Sequence, residues 1–267
     1  MIKKIICPSD FSAAANNALE YAARIAKKTG AKLLLIHVES IPVVASAVSM
    51  GEGIGATERV STRDALRQLK EQSLVVKQTF KIDVAYEVEV GTQSLERVLA
   101  EFGSAHTLIV MGTNGADSIY DYFFGTTAWH FASRVNCPVL VVPVAVSCKP
   151  TFRILYACDW ETETVLSKKA VYDLLETFDP SVVILLESEK GIKSLIKTRS
   201  TQYKNLKFEH VISEDIPESI PAQMKKTRSD MLVLTNKHKG FLASLFQTES
   251  AEEFSETASF PVLLLPA

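Results

Sequence analysis

The sequence predicts an α/β protein built from two consecutive doubly wound parallel-sheet units, residues about 1–146 and 150–267. Three observations predict it. Short, nearly continuous apolar runs alternate with helical patterns, the signature of parallel strands buried on both faces. The pattern restarts near residue 150, where Phe152–Cys158 followed by Asp159 echoes Ile5–Cys7 followed by Asp10. Each unit also closes alike: Cys137-Pro138-Val-Leu-Val-Val142 in the first, Phe260-Pro261-Val-Leu-Leu-Leu265 in the second.

In the first unit Lys3–Cys7 reads as a buried strand ended by Pro8-Ser9-Asp10. A helix over 13–28 follows. Ser12 caps it, Ala14, Ala18, Ala22, Ile25 and Ala26 share one face, and Gly30 stops it. Lys32–Val38 is the second strand. Residues 40–56 lack a period and end in the glycine-rich Met50-Gly-Glu-Gly-Ile-Gly55, which reads as a loop. Thr57–Thr79 is a long charged helix and Asp83–Val90 an alternating strand. A helix over 94–102 groups Leu95, Val98, Leu99 and Phe102. Thr107–Met111 is the fourth strand, 126–136 a helix, and Pro138–Val144 the fifth strand.

The second unit repeats the plan. Its strands are Phe152–Cys158, Ser181–Leu186, Leu206–Val211, Met231–Thr235 and 260–265, with helices over 162–178, 189–201, 216–228 and 249–258. The connector Val146–Pro150 is too short to be floppy, so the halves should pack together. The length of 267 residues accommodates two ordinary domains. A net charge of −2 excludes a broad electrostatic footprint for nucleic acid. No apolar run nears the roughly 20 residues of a membrane helix, and Ser9-Asp10 cuts the N-terminal run too short for a signal sequence. The four cysteines, at 7, 137, 148 and 158, have no CxxC spacing. Cys7, Cys137 and Cys158 fall in or beside predicted strands and are expected to be small buried thiols in a reducing cytoplasm.

The chemistry concentrates at 112–127. Gly112 follows Met111 at the end of the fourth strand, Asn114-Gly115 comes next, and Gly125-Thr126-Thr127 opens a helix. Glycines let backbone approach a ligand without a Cβ clash. The free N–H groups and positive dipole of a helix start favour an anion, and the two threonine hydroxyls can donate to phosphate oxygens. In a doubly wound sheet the ligand sits beyond the C-terminal strand ends, at the switch point between strands one and four. Pro8-Ser9-Asp10 leaves strand one at that edge, where its backbone could recognise a base and Asp10 could accept from a ribose or adenine donor. Neither GxxxxGK[ST] nor a GxGxxG after the first strand is present.

Gly112-x2-Gly115-x9-Gly125-Thr126, together with Pro8-Ser9-Asp10-Phe11-Ser12, the alanine-rich helix and the closing Cys-Pro-Val strand, resembles the universal stress protein family. The likeness covers the first half end to end. It implies a five-stranded sheet of order 3-2-1-4-5, ATP in the crevice and dimerisation through strand five, which a tandem chain would form internally; Mg²⁺ is the expected companion of the nucleotide in phosphoryl transfer. It also implies that Asp10 and Val38 flank the adenosine while Gly112, Gly115, Gly125 and Thr126 hold phosphates.

The second copy departs from this motif. Counting back from Pro261 as from Pro138, Thr235, His238, Thr248 and Glu249 stand where Gly112, Gly115, Gly125 and Thr126 stand. A carboxylate at the helix start repels phosphate. Asp117, Asp121, His130 and Arg134 form no recognisable nucleophile–base pair in the sequence. The expected function is therefore that of an ATP-binding stress-response protein with one competent half, read by an unidentified protein partner. The alternatives are a nucleotide-independent interaction or ligand-carrying protein and a slow ATP hydrolase.

Overall fold

The computed structural model describes residues 2–40, 53–104, 106–113, 135–157, 174–178, 180–187, 208–214, 216–235 and 260–266. The first half contains β1 (Lys4–Pro8), α1 (Ala13–Thr29), β2 (Lys32–Ser40), α2 (Gly53–Phe80), β3 (Val84–Gly91), α3 (Leu95–Phe102), β4 (Thr107–Thr113) and β5 (Val139–Pro143). The second contains β6 (Phe152–Ala157), a 3₁₀ turn at Glu176–Phe178, β7 (Pro180–Glu187), β8 (Phe208–Ile212), α4 (Ile216–Thr227), β9 (Met231–Thr235) and β10 (Val262–Leu265).

These strands form one ten-stranded sheet in the order β3-β2-β1-β4-β5-β10-β9-β6-β7-β8. The first five strands thus run 3-2-1-4-5, and the second five repeat that order outward from the same seam. Every pairing is parallel except the seam, where β10 meets β5 antiparallel with Leu263 opposite Leu140. A parallel order of this kind needs a crossover between strands, and a chain with helices on both faces supplies it.

Side chains alternate across the sheet with a period of two. Ile5, Cys7, Leu33 and Leu35 face α1 and α2 in one cluster, while Ile6, Ile36, Ile109 and Met111 join α3 and α4 in the other. Both clusters run through the seam: Leu140 and Leu263 lie in the first, Val139 and Leu264 in the second. The expected near-continuous apolar strands follow from this two-sided burial. Edge strand β3 is half-exposed, which is why Asp83–Val90 alternates in sequence.

The expected faces and stops are found where α1 and α3 can be compared. Ser12 Oγ accepts from Ala15 N at 3.2 Å, and Gly30 takes φ 70° with its N–H on Ala26 O. Val98 and Leu99 are buried, with Leu95 and Phe102 packed against their cluster. Two boundaries differ materially. The second helix begins at Gly53, not Thr57, so Gly53 and Gly55 belong to its first turn and not to a loop. Glycine's helix cost of about 1 kcal/mol is small against a 28-residue helix. Residues 176–178 form a 3₁₀ turn where a regular helix was expected. Of the helix expected over 126–136, only Val135 and Asn136 are described, and they are not helical; residues 126–134, the helices expected over 189–201 and 249–258, and Cys158 and Asp159 lie outside the described residues.

The connector is tied down, as its length predicts. Asn17 on α1 donates its amide to Pro143 O and Val146 O, each at 2.8 Å, and Tyr21 Oη donates to Ser147 O at 3.0 Å. Beyond it, Asp230 accepts from Arg153 N at 2.7 Å and from Lys149 Nζ at 2.9 Å. Asn17→Ala should lower stability by about 1–3 kcal/mol, because two carbonyls lose their donor, read as a shifted urea midpoint with an unchanged slope.

Burial pushes the Cys7 thiol up to about 12 and the Cys137 thiol up to about 11 from an ordinary 9.0. A raised folded-state pKa stabilises the fold fully below the ordinary value and is lost as pH climbs towards 11–12. Stability should hold from neutral pH to about 9 and then fall by up to ~1.4 kcal/mol per pH unit for each thiol. Cys7→Ala should flatten the alkaline limb in chemical denaturation; an identical slope in that variant counts against the assignment.

Candidate functional site

The C-terminal edge of the first half brings four sequence segments level. β1 pairs with β4 in the register Ile6 with Ile109, and extending it three residues sets Ser9 beside Gly112. On the other side Pro8 pairs with Ile36, so Val38 is level with Asp10. Gly112 pairs with Val142 on β5. The switch point between β1 and β4 is therefore where the strand order predicts a crevice, with Pro8, Ser9, Asp10, Val38, Met111 and Gly112 at or near its floor. Asn114, Gly115, Gly125, Thr126 and Thr127 lie outside the described residues, as do His130 and Arg134.

The turn after β1 is held by its own side chains. Ser9 N donates to Ile36 O at 2.8 Å, prolonging the β1–β2 ladder. Ser9 Oγ accepts from Phe11 N at 3.2 Å and donates to Gln72 Oε1 at 3.3 Å, and Gln72 Nε2 donates to Asn16 Oδ1 at 2.7 Å. This chain ties the turn to both α2 and α1. His37 Nδ1 lies 2.7 Å from Ser9 O. A carbonyl only accepts, so Nδ1 carries the proton. The His37 ring also stacks on Phe11 with centroids 4.8 Å apart.

Phe11 has φ 66°, a left-handed conformation that a non-glycine residue rarely adopts. The hydrogen bond to its N–H and the ring stack hold it there. Asp10 is exposed, and its Oδ1 accepts from Ser12 N at 3.0 Å. The carboxylate thus closes an Asx turn ahead of the helix. Sequence reasoning missed His37, Gln72 and Asn16. For Gln72 a weak signal existed: it borders the stripe Ala65, Leu69, Ser73 and Val76 that α2 buries.

Gly112 departs from expectation in position. It lies inside β4, not after it, and does not share the left-handed backbone of Gly30. A Cβ there would collide with the Ala14 carbonyl and come within 2.8 Å of Ala15 N. The glycine is required by the approach of α1 to the sheet.

Electrostatics divide the crevice. On the Val38 side a cavity of about 220 Å³ is lined by Val38, Val98 and Phe102, with the carboxylates of Glu89 and Glu101 on its wall. Burial, a hydrogen bond that the protonated Glu89 donates to Glu87, and the charges of Glu87 and Glu101 hold the Glu89 carboxyl above its ordinary range. This side repels phosphate and suits hydroxyl and ring N–H donors.

Gly112→Ala should destabilise the ligand-free protein by about 3 kcal/mol, since its Cβ meets backbone that only a shift of α1 can relieve. A thermal melt reads this directly, and a neutral substitution would contradict the close approach.

Comparison with known proteins agrees with this architecture. The universal stress protein family model matches residues 1–143. A universal stress protein of Methanocaldococcus jannaschii is 30% identical over 150 residues, covering 53% of this chain and 82% of that protein. A universal stress protein from Archaeoglobus fulgidus has a similar fold over 98% of both chains, with a TM-score of 0.69 at 14% identity. A putative universal stress protein from Pseudomonas aeruginosa matches over 99% of this chain and 93% of its own, with a TM-score of 0.55 at 17% identity. The chain belongs to the universal stress protein family.

Proposed function

We propose that the first half binds ATP in the crevice between β1 and β4, and that the protein acts as a nucleotide-dependent regulatory binder in the cytoplasm, read by a protein partner. The observation that carries this is the spacing Gly112-x2-Gly115-x9-Gly125-Thr126 leaving the sheet at the β1–β4 switch point. In this reading Pro8, Ser9, Asp10, Val38 and Met111 surround the adenosine. Asn114, Gly115 and the Gly125-Thr126-Thr127 helix start hold the phosphates. Gly112 contributes by seating α1, which presents the Asp10 turn.

The acidic Glu89–Glu101 wall supports an adenosine pointing towards Val38 and phosphates pointing away. The described residues contain no group of three metal-ligating side chains. Asp10 Oδ1 and His37 Nδ1 are spent on the turn, which favours binding over hydrolysis. The second unit, 150–267, is read as a degenerate copy: Glu249 replaces Thr126 by position, and its negative charge opposes phosphate at the helix start.

Isothermal titration with ATP should give a stoichiometry near one per chain, with GTP and AMP weaker. Gly125→Glu, which copies the charge of the second unit, should weaken ATP at least about thirtyfold, as expected for a like charge placed against phosphate. Unchanged affinity in that variant would remove the proposed site. ATP turnover abolished by Asp10→Asn would favour the hydrolase reading.

A further inference from the structure

The turn from Pro8 to Phe11 holds a shape that its own residues do not favour. Phe11 sits at φ 66°, and a bulky residue keeps such a backbone only where the surroundings over-determine it. Two constraints are local: Ser9 Oγ accepts from Phe11 N, and Asp10 Oδ1 accepts from Ser12 N. The rest come from far along the chain. His37 on β2 donates Nδ1–H to Ser9 O at 2.7 Å and lays its ring against Phe11, with centroids 4.8 Å apart. One side chain thus grips the turn on both sides of Asp10. Gln72 on α2 completes the hold by accepting from the Ser9 hydroxyl at 3.3 Å.

His37 does this from behind. Leu33 and Leu35 belong to the core cluster under α1 and α2, and His37 continues their row by the two-residue period. Val38 points to the other face, where it packs with α3. Val38 and Asp10 therefore front the crevice while His37 backs the turn.

The second unit shows that the sheet does not need this histidine. Pro8 pairs with Ile36 in the first half, and Ala157 pairs with Leu186 in the second. With Asp159 matched to Asp10, Cys158 stands at the place of Ser9 and Glu187 at the place of His37. An ionised carboxylate has no proton to give a carbonyl, and a thiol is a weak partner for an amide. The second five strands still complete their order. The unit that lacks the counterparts of Gly115, Gly125 and Thr126 thus also lacks those of Ser9 and His37. The grip on the turn goes with the glycine motif and not with the fold.

We propose that His37 is a positioning residue of the nucleotide crevice, holding the Asp10 turn in the conformation that faces ATP. This role rests on the ATP reading given above. His37 touches no ligand in it. The side chain acts by keeping the competent turn populated before the nucleotide arrives. If only a fraction of chains holds the competent turn, the apparent Kd rises by the inverse of that fraction.

Two variants of the full chain separate the donor from the ring. His37→Phe keeps a ring beside Phe11 and removes the donor. His37→Asn gives up the ring and returns an N–H near the place of Nδ1. His37 is half-buried, so both chains should fold. In isothermal titration His37→Phe should bind ATP at least about tenfold more weakly than wild type, and His37→Asn should return to within about threefold of it. Without ligand, amide hydrogen exchange over residues 9–13 should be faster in His37→Phe than in wild type or His37→Asn. A role confined to packing would lower the melting temperature of His37→Phe and leave the affinity of the folded chain unchanged. That result, or equal exchange over 9–13 in all three chains, would overturn the role of His37 while wild-type ATP binding stands. Absence of ATP uptake by the wild-type chain would overturn the nucleotide reading and this role together.

Discussion

The seat of α1 on β4 governs the first half, and it exists only because position 112 has no side chain. A single Cβ would meet the Ala14 carbonyl. With α1 seated, its N-terminal turn fixes Ser12 and, through it, the Asp10 turn at the sheet edge. Its middle holds the connector through Asn17 and Tyr21. The alanine face of the helix serves the same end: Ala14, Ala15, Ala18 and Ala22 are small enough to allow the approach and are all buried. One backbone-to-backbone fit thus sets the geometry of the crevice and the connector together.

The seam between β5 and β10 explains how two similar units can diverge without losing the fold. Strand five of each unit is buried on both faces by the same continuous core. That core does not depend on the loops at the strand ends. The second five strands complete the sheet although Thr235, His238, Thr248 and Glu249 stand, by position, where the first half has Gly112, Gly115, Gly125 and Thr126. The shared closing pattern, Cys137-Pro138 against Phe260-Pro261, marks what the fold demands.

Much of this was legible in the sequence because burial writes a regular pattern. Fully covered strands such as Ile5–Cys7 and Met231–Leu234 are apolar without interruption, and the Ser12 cap and Gly30 stop announce a helix by local chemistry. What escaped depends on contacts between distant segments. Nothing near residue 9 points to Gln72, 63 positions away, and nothing near His37 announces that Ser9's carbonyl fixes its tautomer. Gly112 was recognised as special, but the approach of α1 that its missing Cβ allows was not, because a glycine needed for helix packing and one needed for a phosphate look the same in sequence.

The central claim is functional asymmetry on a nearly symmetric sheet. Hydrogen–deuterium exchange of the full chain, with and without saturating ATP, tests it most directly. The account predicts slowed exchange in segments 8–15 and 111–127, with segments 157–162 and 235–249 unchanged. Equal protection in both halves, or none in either, would contradict it.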